Sequence, residues 1–193
     1  MNCNGTHYRA VVIGASAGGL AAVEKVLGKL KKTFCLPILL VQHISPHSQS
    51  YLATHFDGKS ALTVKEAEDK EPIKRGHFYI APPNYHFLVE YDGCVALSID
   101  PPVNYSRPSI DVLFESAADY FGKELIGIVL TGGNSDGALG LKKIKEYGGL
   151  TLVQSIESSD APAMPAAAIE TACVDHILPL EEMGEFLNEI CEC

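Results

Sequence analysis

Short, unbroken apolar runs alternate with amphipathic stretches along most of the 193-residue chain, the pattern of an α/β domain with a mainly parallel sheet. Residues 8–13 form a first strand rich in Val and Ile, running into a cluster of small residues, Gly14-Ala15-Ser16-Ala17-Gly18-Gly19. A helix is predicted over about 20–30, with Leu20, Val23, Val26, Leu27 and Leu30 on one face. Residues 37–41 are apolar throughout and predict a strand buried on both faces. A short helix is expected over 49–56.

The middle of the chain changes character. Residues 62–67, 77–81, 85–91 and 94–99 are short strand-like pieces punctuated by Pro72, Gly76, Pro82-Pro83 and Asp92-Gly93, the last a hairpin turn signal. They read as a β-rich insertion carrying a hairpin, not as a separate domain. Regular alternation then resumes. A helix is predicted over 109–121, a buried strand over 125–130, and a polar glycine-rich turn, Thr131 to Gly137, leading into a helix that ends near Tyr147. A strand at 150–154, a helix at 163–170, a short strand at 175–178 and a C-terminal helix from Pro179 complete the expected doubly wound fold, a single domain over 1–193.

Composition narrows the class without naming a function. Nearly half the residues are apolar and no stretch approaches the roughly 18–20 apolar residues of a membrane span. The first seven residues lack a basic and an apolar region, so no secretory signal is read and a cytoplasmic location is expected. The formal net charge is −9, and the basic group Lys29, Lys31, Lys32 falls at a predicted helix end where cations suit the dipole, which argues against nucleic-acid binding. Six cysteines occur without any C-x-x-C pair, so reduced thiols are expected in place of a disulfide framework or zinc site.

Chemistry is expected at the carboxyl ends of the strands, where open parallel sheets bind ligands. Ser16 follows the first strand, His43 the second, and Asp136 the strand at 125–130. A hydroxyl, an imidazole and a carboxylate on one edge are the parts of an acyl-transfer triad. Each also has an ordinary role: Ser16 as a helix N-cap, His43 as a structural strand-end residue, Asp136 as a helix cap. Gly14-x-Ser16-x-Gly18 matches the nucleophile-elbow pattern, but the order Ser, His, Asp is not that of the α/β-hydrolases. A dinucleotide fingerprint fails on spacing, and no cofactor is expected. His43 and His47 are four apart, but Pro46 and the lack of a neighbouring carboxylate argue against a metal site. His55, His77, His86 and His176 carry no pattern that assigns them a role.

Several motifs in order resemble the catalytic domain of the CheB chemotaxis protein-glutamate methylesterases: 13–19, Gln42-His43, Ile80-Ala81-Pro82, the run Arg107 to Phe114, and Leu130-Thr131-Gly132 through Asp136-Gly137. The resemblance covers about Val11 to Leu180. It implies a doubly wound, mostly parallel sheet with an inserted hairpin, Ser16 as nucleophile, His43 as general base and Asp136 as its orienting acid. It also implies hydrolysis of glutamate γ-methyl esters, and deamidation of glutamine, on the cytoplasmic domains of methyl-accepting chemotaxis receptors. Arg107 is read as an anchor for acidic receptor surface or as a structural ion pair.

Two positions depart from the family's usual pattern. Ala17 replaces a threonine beside the nucleophile, and Gly133 stands where a methionine lines the family's site, so both bear on substrate and oxyanion contacts. An esterase or amidase for another acyl substrate, and a non-catalytic receptor-binding module, therefore stay open. The family's regulatory receiver domain is not expected, because the fold begins within ten residues of Met1.

Overall fold

The structure, a computed structural model, describes residues 7–44 and 51–191. Seven strands form one sheet: β1 (Ala10–Ala15), β2 (Ile38–Gln42), β3 (Thr63–Glu66), β4 (His77–Ile80), β7 (Leu125–Val129), β8 (Leu150–Gln154) and β9 (His176–Leu178). Their order is β3-β4-β2-β1-β7-β8-β9, and every pairing is parallel. The two remaining strands, β5 (His86–Val89) and β6 (Val95–Ser98), make a separate antiparallel hairpin with Val89 opposite Val95.

Parallel strands covered on both faces have no solvated side, which is why β1, β2 and β7 are buried along their whole length and apolar but for Gln42 at the end of β2. Val11 and Ile13 face one core, packed under α1 (Gly19–Gly28) and α6 (Leu180–Ile190). Ala10 and Val12 face the other, packed under α3 (Ile110–Phe121), α4 (Ala138–Glu146), α5 (Ala163–Thr171) and the hairpin. The remaining helix, α2 (Leu52–Phe56), is shorter than expected; residues 49 and 50, like His47, lie outside the described residues.

The middle of the chain needs one correction. Residues 62–67 and 77–81 do not belong to the insertion, because β3 and β4 extend the main sheet beyond β2. Only β5 and β6 form the expected hairpin. Brevity and turn punctuation hide the distinction, since a four-residue strand has too few positions to show whether one face or both are covered. The cysteines also differ in part from expectation: Cys94, Cys173 and Cys191 are free, whereas Cys35 is disulfide-bonded.

The sheet order places the site. After β1 the chain moves outward to β2 and beyond, then returns to add β7 on the opposite side of β1. The loops after β1 and β7 diverge at this reversal and leave a crevice at the strands' carboxyl ends.

Candidate active site

Ser16 is the first residue past β1 and sits on a tight strand-to-helix turn. Its backbone N–H donates to the Thr131 carbonyl (2.9 Å), and its own carbonyl accepts from Gly19 N–H (2.9 Å) and Gln42 Nε2 (2.8 Å). Gly18 completes the turn at φ +75°, where a Cβ would lie 2.7 Å from an Asp160 carboxylate oxygen. Glycine is required there both by the left-handed backbone and by the neighbouring side chain.

His43 follows β2, and its N–H continues the sheet ladder to the Ala15 carbonyl (3.0 Å). The ring bridges the crevice: Nδ1 is 3.3 Å from Ser16 Oγ, and Nε2 is 2.8 Å from Asp136 Oδ2. An ionised carboxylate only accepts, so Nε2 carries the proton and the Nδ1 lone pair faces the serine. The structure thus brings together all three residues picked out from the sequence.

Asp136 is fully buried. Oδ1 accepts from Ser109 Oγ (2.9 Å) and Asp111 N–H (3.0 Å), while Oδ2 accepts from Ile110 N–H (2.7 Å) as well as from His43. The carboxylate therefore caps α3, a helix remote in sequence, and not α4, which follows it and begins after Gly137. Burial pushes its pKa upward, but the bonds from His43, Asp111 and Ile110 outweigh that and hold it below the usual carboxylate range. The positive end of α3 acts in the same direction.

Asp111, one turn into the same network, behaves oppositely. Its Oδ1 accepts from Gly140 N–H (2.7 Å) and its Oδ2 from Asn104 Nδ2 (3.3 Å). Burial, with the charges of Asp136 and Glu115, nevertheless raises its pKa to about 6 against the pull of the Gly140 bond.

Thr131 ties the surrounding loops together. Its hydroxyl donates toward the Ala17 carbonyl (3.0 Å) and the Ala161 carbonyl (3.3 Å) and accepts from Ala161 N–H (2.8 Å). Gln154, fully buried at the end of β8, accepts the Thr131 N–H (2.9 Å). Ala17 and Gly133 lie exposed on either side of this junction, and neither N–H has an acceptor among the described residues. Space around Gly133 is open: a Cβ at this position would have no neighbouring atom within 4 Å.

Arg107, read from the sequence as a receptor anchor or a structural ion pair, bonds to neighbouring segments of its own chain. Nη1 donates to the Ile99 (2.7 Å) and Asp100 (3.0 Å) carbonyls, and Nε and Nη2 donate to Asn84 Oδ1 (3.1 and 2.7 Å). The guanidinium holds the segments before β5 and after β6 against the start of α3, and its contacts are with neutral oxygens, not with a carboxylate. Sequence reasoning passed over Ser109, Thr131, Gln154 and Asp111, whose roles arise from contacts between segments far apart in the chain.

A cleft of about 460 Å³ opens beside the triad, lined by Ser16, Gly19, Leu20, Gln42, His43 and Tyr51 among others. A larger one of about 540 Å³ lies along β5 and α3 and includes none of the triad, so volume alone does not mark the chemistry. Among the described residues no group of three or more His, Cys, Asp or Glu is arranged to hold a metal ion, and no helix is long and apolar enough to cross a membrane.

A family model described as CheB methylesterase matches residues 11–187. The chain belongs to the CheB methylesterase family. Its structure superposes on the crystal structure of the Thermotoga maritima CheB methylesterase catalytic domain with a TM-score of 0.90, at 36% identity, covering 95% of this chain and 98% of that one. A Leptospira interrogans relative, provisionally named a protein-glutamate methylesterase/protein-glutamine glutaminase, is 49% identical over 179 residues, 93% of either chain. A Carboxydothermus hydrogenoformans protein named protein-glutamate methylesterase/protein-glutamine glutaminase 1 is 42% identical over 180 residues, but the match spans only 53% of its length. The CheB-type fold, the parallel sheet and the hairpin are thus as the sequence motifs implied.

Proposed function

We propose that this chain is a protein-glutamate methylesterase that also deamidates glutamine, acting in the cytoplasm on the cytoplasmic domains of methyl-accepting chemotaxis receptors as one catalytic domain. The observation that carries the reading is the continuous Ser16–His43–Asp136 contact, 3.3 and 2.8 Å, at the mouth of an open cleft.

Ser16 Oγ attacks the γ-ester carbonyl carbon as its proton passes to His43 Nδ1. Negative charge develops on the carbonyl oxygen; that the N–H groups of Ala17 and Gly133 have no acceptor among the described residues supports these two as its donors. The C–O bond to the methoxy group then breaks, and the Nδ1 proton leaves with methanol. Water attacks the acyl-serine with His43 again as base, freeing the glutamate carboxylate and restoring Ser16. Glutamine follows the same course with ammonia as leaving group. Asp136, held ionised, keeps the proton on Nε2 and stabilises the imidazolium.

Methanol release from methylated receptor tests the reading. Wild type is expected to release methanol and Ser16→Ala to fall to background; equal release by the two would refute it.

A further inference from the structure

Asp136 is itself held by a second chain of hydrogen bonds. Ser109 stands at the N-cap of α3 with extended backbone (φ −105°, ψ 139°), yet its hydroxyl makes no capping bond to its own helix. That hydroxyl donates to Asp136 Oδ1 (2.9 Å), while the Ser109 N–H donates to Nδ1 of His86 (3.2 Å). His86, the first residue of β5, is almost wholly buried, and its Nε2 lies 3.2 Å from the Pro101 carbonyl beyond β6. A carbonyl accepts and an N–H donates, so Nε2 carries the proton and Nδ1 is the acceptor.

We propose that Ser109 and His86 are positioning residues for the triad: His86 fixes Ser109, and Ser109 turns the Asp136 carboxylate so that Oδ2 faces His43. The route runs Pro101 carbonyl, His86, Ser109, Asp136, His43, Ser16, and joins the hairpin to the nucleophile through the buried His86, Ser109 and Asp136. Asp136 has two oxygens and could rotate about its own side-chain bond. The Ser109 hydroxyl, with Asp111 N–H, occupies Oδ1 and leaves the bond to His43 for Oδ2.

The inference rests on the triad being active, so its test reads Ser16 directly. A fluorophosphonate probe labels an activated serine whatever the natural substrate, and its maximal labelling rate and half-saturating concentration separate activation from binding. Ser109→Ala is expected to lower the maximal rate about tenfold, the loss of one bond to a charged group, with half-saturation unchanged; Ser109→Thr restores the rate. His86→Asn, which keeps an acceptor where Nδ1 lies, stays near wild type. His86→Gln, which keeps only the donor where Nε2 lies, falls as Ser109→Ala does.

If wild type labels and both Ser109→Ala and His86→Gln label equally fast, or if they change only half-saturation, the positioning role is overturned while the active serine stands. A wild type that does not label overturns both. Ser109→Ala removes a single oxygen that caps nothing, so it decides the matter even where a His86 variant does not fold.

Discussion

Asp136 caps the helix that begins at Ile110: its Oδ2 accepts the Ile110 N–H at 2.7 Å and holds His43 Nε2 at 2.8 Å with the same atom. The carboxylate proposed to orient His43 is thus also the N-terminal cap of α3, so on that reading catalysis and stability meet in one group.

Asp136→Ala is accordingly expected to lose both. Activity falls by roughly 10³–10⁴, and the lost cap lowers stability by about 1–2 kcal/mol, measured by denaturant unfolding. Because the folded pKa of Asp136 lies below the ordinary value, its contribution is present at neutral pH and disappears as pH falls through that depressed value. The gap between wild type and Asp136→Ala therefore narrows in strong acid.

Asp111 runs the other way. Its carboxyl titrates near 6 when folded and at the ordinary value when unfolded, so between those values the folded chain binds more protons and stability falls as pH rises. Asp111→Asn keeps an acceptor for Gly140 N–H without the charge. It is expected to be more stable than wild type by about 2 kcal/mol at pH 8, allowing for screening, with the advantage shrinking as pH falls from about 6 and gone below the ordinary carboxylate value. Thermal melts across this range check it; a constant advantage would contradict it.

Gly133 faces open space, with no atom within 4 Å of where a Cβ would lie, so the position has room for a side chain. Gly133→Met is expected to leave the melting temperature within a degree or two, a surface change of roughly 0.5 kcal/mol or less, and, if the position lines the substrate as the family resemblance implies, to restrict the acyl group accepted. Comparing the variant with wild type on a panel of small esters reads the effect: bulkier acyl groups lose rate first. Uniform rates across the panel would show that the position does not line the substrate.

Burial lifts the Cys191 thiol to about 12, whereas Cys173 is exposed and free. Thiolate is the species that alkylates. At pH 8 iodoacetamide is expected to modify Cys173 in the folded protein and Cys191 only after denaturant is added, as read by peptide mapping.

Much of this arrangement is legible in the sequence, for reasons tied to particular residues. β1, β2 and β7 declare themselves because strands covered on both faces are almost wholly apolar, and Ser16 and His43 follow β1 and β2 directly. Gly14, Gly18 and Gly19 of the turn are required because a Cβ at any of them would collide with a neighbouring side chain. β3 and β4 escape because four residues cannot distinguish a sheet edge from a hairpin. The cap role of Asp136 is visible as a residue preference, but the helix it caps is not the one that follows it. Ser109 and His86 leave no local mark, since the fold, and not spacing, decides where a serine hydroxyl points or which imidazole nitrogen is protonated.

The double duty of Asp136 bears on how a lineage of this fold would decay. Descendants freed from the need to hydrolyse esters can discard Ser16 or His43 at small structural cost, but discarding the acid uncaps a helix packed across the sheet. Selection for folding alone would preserve it. An aspartate at this position in a distant descendant therefore testifies to an intact scaffold, and only the serine and histidine testify to a working enzyme.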